Sequence, residues 1–299
     1  MTTPAMTAPA IRTVGVCGAG GTMGAGIAIT AARAGYRTIC FDASAAGLER
    51  AARDTAGFFD NSVKRGKLTQ EERDATLALL EPTADKAALA QCDLVLEAVY
   101  ENLEVKQALF QELDGICPEH TIFASNTSTL SITEIASHCT RQDRVIGLHY
   151  CLPAQLMKLI EVSPGVNTSE ATIATAWAWT EACGQRPVRT QDKPGFILNA
   201  LLVPFNNDAI RAVEAGVADA AAIDAAIKKA LGYKMGPLEL VDLVGLDTQV
   251  RLCEAFYPVT LDPRAAAPPL LRRMVAAGHL GRKSGQGFYR YDGGRMFGG

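Results

Sequence analysis

The amino-acid sequence predicts an α/β fold in which a domain built on an open sheet precedes an all-helical domain. Three observations support this prediction. A glycine-rich turn joins a short apolar segment to a helix near the N-terminus, short apolar runs then alternate with helical stretches, and from residue 192 onward only helical periodicity remains. We therefore place the sheet domain at residues 1–191 and the helical domain at residues 192–299.

The first elements predict a dinucleotide site. A buried strand at residues 14–17 leads into the glycine-rich turn, a helix runs to Gly35, and a second strand ends in Asp42. This order is typical of a Rossmann-type domain, in which glycines let the backbone approach a pyrophosphate and the acid accepts a hydrogen bond from a ribose hydroxyl. An aspartate repels a 2′-phosphate and the neighbouring Ala43 supplies no cation, so we expect NAD rather than NADP. The candidate cofactor residues of the turn are Gly18, Gly20, Thr22, Met23 and Gly24.

Two further apolar runs, at residues 94–99 and 121–125, predict buried strands of the same sheet. Polar residues follow each run, Glu101 after the first and residues 126–128 after the second. Because ligands of open α/β sheets gather at the carboxyl ends of the strands, we expect these polar residues to face the same crevice as the glycine-rich turn.

A helical insertion is predicted between the second and third of these strands, from Ala45 to Leu80, and a basic turn at residues 64–67 interrupts it. Such a cluster has two interpretations. It is either a solvated charged turn or a grip for a phosphate group.

A histidine and a glutamate form the candidate catalytic pair. A strand-like segment, residues 145–150, carries His149, and a second one, residues 159–162, carries Glu161 between apolar neighbours. A carboxylate held beside an imidazole in a low-dielectric environment selects its tautomer and stabilises its charged form, as a general base near neutral pH requires. Alone, a histidine in an apolar strand is more often structural. The dinucleotide turn earlier in the chain favours the catalytic interpretation.

The pattern after residue 192 predicts several helices. Apolar positions from Ile197 to Val213 indicate a long helix with a kink at Pro204 and an end at Gly216. Asp219 is expected to cap the next helix, and Pro237 to lie in the first turn of a third. This domain has more apolar surface than a small bundle needs, which predicts self-association.

Composition excludes several classes of function. The net charge of −3, from 29 basic and 32 acidic residues, provides no basic field for nucleic acid. The eight cysteines are scattered without a C-x-x-C pair, which indicates a reduced cytosolic protein rather than a disulfide framework or a metal site. No apolar stretch approaches the length of a membrane span, and residues 1–10 have the composition of a loose tail rather than a signal peptide.

Seven motifs in order resemble the L-3-hydroxyacyl-CoA dehydrogenase family, and within it the short 3-hydroxybutyryl-CoA dehydrogenases. The resemblance spans Val14 to Tyr291 and rests on Gly-Thr-Met-Gly-Ala-Gly-Ile-Ala (21–28), Leu-Glu-Ala-Val-Tyr-Glu-Asn-Leu-Glu-Val-Lys (96–106), Phe-Ala-Ser-Asn-Thr-Ser-Thr-Leu (123–130), the segment from His149 to Glu161, Lys-Pro-Gly-Phe-Ile-Leu-Asn (193–199), Lys-Met-Gly-Pro-Leu (234–238) and Gly-Arg-Lys-Ser-Gly-Gln-Gly-Phe-Tyr (281–289).

This resemblance implies reversible NAD-dependent oxidation of an L-3-hydroxyacyl-CoA to the 3-ketoacyl-CoA by a cytoplasmic homodimer, as in fatty-acid β-oxidation. It implies that His149 takes the proton of the 3-hydroxyl, that Glu161 holds the imidazole, and that Ser128 and Asn199 hydrogen-bond the reacting oxygen or the thioester carbonyl. The remaining residues that it implies are Asp42, Glu101, Lys106 and Lys283 at the cofactor, and Lys64, Arg65 and Lys67 at the phosphates of coenzyme A.

The sequence departs from the family pattern at three positions. Leu152 stands where the family has asparagine before proline, Ala200 stands where it has arginine, and Gly21 is an additional glycine that shifts the expected start of the first helix by one residue. The first two changes predict a bulkier or more apolar acyl group than 3-hydroxybutyryl. Two alternatives stay open, a dehydrogenase of free hydroxy acids or carnitine-like substrates and a catalytically silent NAD-binding protein. Minor alternatives are Cys151 as a nucleophile paired with the imidazole and Ser128 as the cap of the helix after Leu130.

Overall fold

The computed structural model describes residues 11–292 and 295–297, and the chain divides into two compact units between Lys193 and Pro194. This division lies two residues beyond the boundary predicted at residue 191. The tail predicted for residues 1–10 lies outside the described residues.

The first unit is built on an eight-stranded sheet in the order β3-β2-β1-β4-β5-β6-β7-β8. Its strands are β1 (Thr13–Cys17), β2 (Arg37–Phe41), β3 (Leu80–Thr83), β4 (Leu94–Glu97), β5 (Ile122–Ser125), β6 (Val145–Tyr150), β7 (Leu159–Pro164) and β8 (Arg186–Arg189). The strands from β3 to β6 pair in parallel, β7 runs antiparallel to β6, and β8 is parallel to β7. The sheet is therefore mixed, and the order around β1 is that of a Rossmann-type domain, as predicted.

Helices connect these strands. They are α1 (Thr22–Arg33), α2 (Ala45–Lys64), α3 (Gln70–Leu77), α4 (Leu103–Ile116), α5 (Ile132–Ala136) and α6 (Glu170–Ala182), with 3₁₀ turns at Lys86–Gln91 and Gln142–Arg144. The predicted insertion is the α2–α3 pair, which the basic turn interrupts as expected. Thr69 starts α3 with a capping box, since its hydroxyl accepts from the Glu72 amide (3.1 Å) and its own amide donates to the Glu72 carboxylate (2.8 Å). Leu80 begins β3 rather than ending the insertion.

The core of this unit lies on the sheet. Strands β4, β5 and β6 are buried at every position because helices cover a parallel sheet on both faces. Among these apolar strands, buried charged or titratable side chains are exceptions that need a partner. Three of them are Glu97 at the end of β4, His149 on β6 and Glu161 on β7.

The second unit is helical, with one addition to the prediction. Its helices are α7 (Leu198–Glu214), α8 (Ala220–Leu231), α9 (Pro237–Val244), α10 (Leu246–Thr260) and α11 (Pro269–Ala276), with 3₁₀ turns at Pro263–Ala265 and Arg282–Ser284. The Asp219 carboxylate caps α8 by accepting from the Ala222 amide at 2.8 Å, and Pro237 opens α9, so both predictions are confirmed. An antiparallel pair, β9 (Arg290–Asp292) and β10 (Arg295–Phe297), adds strands to a domain predicted to be all-helical.

Within the described ranges, no helix has the length and apolarity needed to cross a membrane, and no three metal-ligating side chains cluster together. All eight cysteines are free thiols.

Candidate active site

The candidate catalytic pair lies on adjacent strands of the sheet. Because β6 and β7 are antiparallel, His149 and Glu161 stand directly opposite each other in the ladder, and their side chains share one face. The imidazole Nδ1 is 2.7 Å from Glu161 Oε2. His149 is 7% exposed and Glu161 is 1% exposed. The twelve-residue interval between His149 and Glu161 therefore spans the connection between two neighbouring antiparallel strands.

This geometry decides what the imidazole can do. A carboxylate only accepts hydrogen bonds, so Nδ1 carries the hydrogen and the lone pair of the neutral ring is on Nε2. In a buried setting the negative charge of Glu161 stabilises the imidazolium that forms when Nε2 takes a proton. The pair has the geometry of a general base with its orienting carboxylate.

A loop after β5 carries Ser128, and Glu101 shapes that loop. Glu101 Oε1 accepts from the Ser128 amide (2.9 Å), from the Thr127 hydroxyl (2.6 Å) and from the Thr129 amide (3.2 Å), while the Ser128 hydroxyl lies at 3.4 Å. The interpretation of Ser128 as a helix cap is wrong, because the side chain that caps α5 belongs to Ser131.

One link between the Ser128 loop and the histidine strand was not predicted. Asn126, at the start of the loop, accepts from the Tyr150 amide at 2.8 Å through Oδ1. Tyr150 follows His149 directly, so this hydrogen bond ties the ends of β5 and β6 together. The family motif around residue 126 marks the asparagine, but nothing in the local sequence indicates its partner.

The glycine-rich turn brings two backbone segments closer together than any residue with a side chain would allow. Gly18 adopts a φ of +83°, which favours glycine, and a Cβ on Gly24 would lie 2.2 Å from the Gly18 carbonyl oxygen. Gly21 is the N-cap of α1, so the additional glycine places the helix start at Thr22. Thr22 and Met23 are therefore in the first turn, where helix amides point outward without intrahelical partners.

Asp42 is held against this turn. Its Oδ2 accepts from the Gly20 amide at 2.9 Å and its Oδ1 accepts from the Ser44 amide at 2.8 Å. Arg50 on α2 also reaches the turn and donates to the Gly20 carbonyl at 3.2 Å. The sequence pattern predicted Asp42 at the end of β2, but it did not place a cation beside the turn.

Lys106, which the family resemblance implies at the cofactor, is buried rather than exposed. Its side chain is 1% exposed, and its Nζ lies 2.8 and 2.9 Å from the two carboxylate oxygens of Glu97 and 3.2 Å from Glu101 Oε2. Burial alone would raise the pKa of the Glu101 carboxyl, but the Lys106 ammonium and the hydrogen bonds from the Ser128 loop outweigh it and lower that pKa. Lys106 thus favours the ionised form of Glu101, and the buried pairing of Lys106 with Glu97 was not predicted from the sequence.

The predicted coenzyme A turn lines a groove of about 400 Å³ in the first unit. Arg65 and Lys67 line it together with Arg33, and Phe58 and Leu156 supply apolar walls. Cations beside apolar surface suit an anionic group joined to an organic chain.

The remaining predicted residues are placed as follows. Asn199 is half-buried in the first turn of α7, and its backbone N–H donates to the Gly195 carbonyl at 3.1 Å. Lys283 pairs with Asp247 at 2.5 Å. Both belong to the second unit.

Cys151 follows β6. Burial, with a contribution from the Glu161 charge, raises the pKa of its thiol to about 11. A thiol of that kind stays protonated near neutral pH, which weighs against the nucleophile alternative.

Comparisons with known proteins cover nearly the whole chain. The family model described as "3-hydroxyacyl-CoA dehydrogenase, NAD binding domain" matches residues 13–193, and the model described as "3-hydroxyacyl-CoA dehydrogenase, C-terminal domain" matches residues 195–291.

Individual relatives agree with these models. The probable 3-hydroxybutyryl-CoA dehydrogenase of Bacillus subtilis is 42% identical over 94% of this chain and 98% of its own length. The 3-hydroxyadipyl-CoA dehydrogenase of Escherichia coli is 42% identical over 93% of this chain and 59% of its length. The crystal structure of (S)-3-hydroxybutyryl-CoA dehydrogenase from Ralstonia eutropha superposes with a TM-score of 0.89 at 38% identity, covering 95% of this chain and 100% of that one.

Proposed function

The chain belongs to the 3-hydroxyacyl-CoA dehydrogenase family, and we propose that it oxidises an L-3-hydroxyacyl-CoA thioester with His149 as the general base. The fold, the NAD cofactor and the oxidoreductase class predicted from the sequence are confirmed by these matches. The observation that carries the proposal is the buried contact of 2.7 Å between His149 Nδ1 and Glu161 Oε2, on the sheet whose strand β1 leads into the glycine-rich turn.

The residues present fit NAD. A Cβ on Gly18 or Gly24 would collide with neighbouring backbone, so only glycine lets the chain turn this tightly into α1. The backbone amides at the start of α1 are suited to bind a pyrophosphate. When bound there, the nicotinamide supplies the acceptor for the hydride that leaves C3 of the substrate.

In the proposed step, His149 Nε2 takes the proton of the substrate 3-hydroxyl while the C3 hydrogen departs with its electron pair. A carbonyl forms at C3, and Glu161 stabilises the imidazolium that results. We assign to the Ser128 hydroxyl a hydrogen bond to the reacting oxygen or to the thioester carbonyl, which holds C3 in position. Asn199 stays a prediction for the same role.

We assign cofactor selection to Asp42, because a carboxylate at the end of β2 accepts from ribose hydroxyls and repels a 2′-phosphate. The native enzyme should strongly prefer NAD to NADP in kcat/KM, and Asp42→Ala should relax that preference. Comparable kcat/KM for both cofactors in the native enzyme would contradict the assignment. Glu101 and Lys283 stay predictions as cofactor contacts, and Lys106 enters the proposal through Glu101.

We propose that the basic turn binds the phosphates of coenzyme A. Arg65 and Lys67 line the groove, and Lys64 precedes them in the chain. Reversing these three charges should raise KM for acyl-CoA, and the effect should shrink with added salt, since exposed charges are screened within about 10 Å at 0.1 M. Truncated thioesters without the nucleotide are the control, because they make no contact with the turn. An equal rise in KM for truncated and complete thioesters would rule out the phosphate contact.

The acyl group is the least constrained part of the substrate. Relatives with equal identity carry names for different acyl groups, 3-hydroxybutyryl and 3-hydroxyadipyl, so overall similarity does not select one. Leu152 is 59% exposed where the family pattern has asparagine. We propose that this apolar side chain and Ala200 favour a longer or aromatic acyl chain. Leu152→Asn should then shift kcat/KM toward the four-carbon substrate.

We further propose a homodimer located in the cytoplasm. Large apolar side chains are exposed on the second unit, and free thiols are typical of a reducing compartment. The exposed residues are Leu201, Val217, Leu231, Val259 and Leu261. Light scattering should give twice the chain mass of 31.7 kDa, and cell fractionation should place the protein in the cytosol. A particle of one chain mass would contradict the dimer.

Steady-state turnover on a panel of substrates tests the function as a whole. The panel contains 3-hydroxyacyl-CoA thioesters of increasing length, the corresponding free hydroxy acids, and carnitine. We expect the highest kcat/KM on a thioester. Activity confined to free acids would support the alternative dehydrogenase, and NAD binding without turnover on any substrate would support the silent NAD-binding protein.

A further inference from the structure

We propose that Glu97, acting through Lys106 and Glu101, is a positioning residue for the loop that carries Ser128. The inference rests on the proposed function, because Ser128 is assigned there to the substrate. It adds a role for Glu97, which the proposed function does not place in contact with the substrate or the cofactor.

The network begins in the core. Glu97 is the last residue of β4, its side chain is fully buried, and both of its oxygens bind Lys106 Nζ. It also accepts from the Ser125 hydroxyl and from the Val99 amide at 3.1 Å. Glu97 therefore joins the ends of two neighbouring strands, β4 and β5, to one ammonium group.

The network ends at the Ser128 loop. Lys106 Nζ is 3.2 Å from Glu101 Oε2, and the other oxygen of Glu101 accepts from the Ser128 amide at 2.9 Å. A single carboxylate thus connects the buried ammonium to the backbone of the candidate substrate-binding residue. A shift of Lys106 must move Glu101, and a shift of Glu101 must change the hydrogen bonds that shape the loop.

Stability alone does not account for such a pair. Removing two charges from water costs nearly as much free energy as their attraction returns, and apolar residues of similar size often stabilise a fold as well. A fixed charge at the end of a strand does something that an apolar pair cannot do. It holds the Lys106 ammonium at one place, and this sets the position and the ionised state of Glu101.

The test compares Glu97→Gln with Asp114→Asn. Asp114 is a matched control because it lies on α4, as Lys106 does, and it forms a largely buried ion pair with Arg141. We expect Glu97→Gln to lower kcat roughly 10- to 10²-fold, the size of effect that a small misplacement of a positioned group causes. Asp114→Asn should lower the melting temperature and leave kcat within about twofold of native. An equal loss of kcat in both variants would overturn the proposal.

A double-mutant cycle separates positioning from a general loss of structure. If Glu97 acts on Ser128, Glu97→Gln should have little further effect on kcat in a Ser128→Ala background. Losses that multiply in the double variant would overturn the proposal.

A second variant covers the case in which Glu97→Gln does not fold. Glu97→Gln combined with Lys106→Met removes both buried charges, so it should restore folding while kcat stays low, because Glu101 has lost its cation. Native kcat in this variant would show that the pair is only structural.

A crystal structure of Glu97→Gln provides a readout that does not depend on activity. We expect the contact between Glu101 and the Ser128 amide to be broken, and an unchanged loop would refute the positioning role. A failure of the proposed function would appear instead as a native enzyme without turnover on thioesters.

Discussion

The described part of the first unit contains two pairs of histidine and carboxylate, and they differ mainly in burial. His149 Nδ1 lies 2.7 Å from Glu161, with side chains that are 9% and 1% exposed. His120 Nε2 lies 3.1 Å from Asp93, and the His120 side chain is 46% exposed. The first pair joins two adjacent strands inside the sheet, whereas Asp93 also accepts from the amides of Arg12 and Thr13 and so anchors the start of β1.

We propose that these chemical groups act in catalysis in the buried pair, whereas the carboxylate of the exposed pair anchors the start of β1. In the buried pair little solvent screens the carboxylate, so its charge acts directly on the imidazole. Around the exposed pair, water and salt screen the attraction, and its value for stability is small. Burial, rather than the pairing itself, distinguishes the candidate base from the other histidine.

The largest effect is expected for the two histidines. His149→Gln should lower kcat by about 10² to 10⁴, the usual contribution of a positioned acid–base group, whereas His120→Gln should stay within about twofold of native. NAD affinity, measured by fluorescence titration, should be unchanged in both variants. Native-like turnover of His149→Gln would remove the proposed mechanism.

Variants of the two carboxylates, Glu161 and Asp93, should differ in kcat in the same direction as the two histidine variants. Glu161→Gln should lower kcat by roughly 10- to 10³-fold, as loss of an electrostatic stabiliser does. The pH profile of kcat should also change, because the proposed base has lost its charged partner. Asp93→Asn serves as the matched variant on the exposed pair and should show native kcat and a native profile. The comparison between the pairs breaks down if both variants lose activity equally.

A smaller effect is expected on the stability of the exposed pair. Burial alone would raise the pKa of the Asp93 carboxyl, but the amides of Thr13 and Arg12 and the His120 imidazole hold it below its usual value. The depressed pKa adds stability above about pH 4, and this stability is lost as the pH falls through the folded-state value. Asp93→Asn should therefore lower the free energy of unfolding at pH 6 by about 1 kcal/mol, and the difference should shrink toward pH 3. A difference independent of pH would show that charge is not involved.

No effect on catalysis is expected for the thiol beside the base. Because the pKa of Cys151 is raised to about 11, the thiol is protonated at pH 8, and Cys151→Ser should keep kcat within about twofold of native. Iodoacetamide should label Cys151 slowly in the native protein. Loss of turnover in Cys151→Ser, with folding intact, would revive the nucleophile alternative and weaken the role assigned to Glu161.

The sequence by itself determined the features that depend on neighbours in the chain. The strand, turn and helix around Gly18 follow from a few adjacent residues, and so does Asp42 at the end of β2. The Asp219 cap and the start of α9 at Pro237 are also local, because the hydrogen bonds and backbone angles involved lie within one helical turn. The family motifs also identified His149 and Glu161 as the candidate catalytic pair.

Only the tertiary structure decided which distant groups meet. The antiparallel direction of β7 places Glu161 opposite His149. The position of α4, whose Phe110 stacks on Phe123 of β5, brings Lys106 between Glu97 and Glu101. The pattern of residues 94–99 indicates a buried strand, but it does not show that its glutamate is paired with a lysine on the following helix. Such contacts depend on the direction and packing of two elements at once, which no local pattern encodes, and the burial that distinguishes His149 from His120 is a property of the folded chain alone.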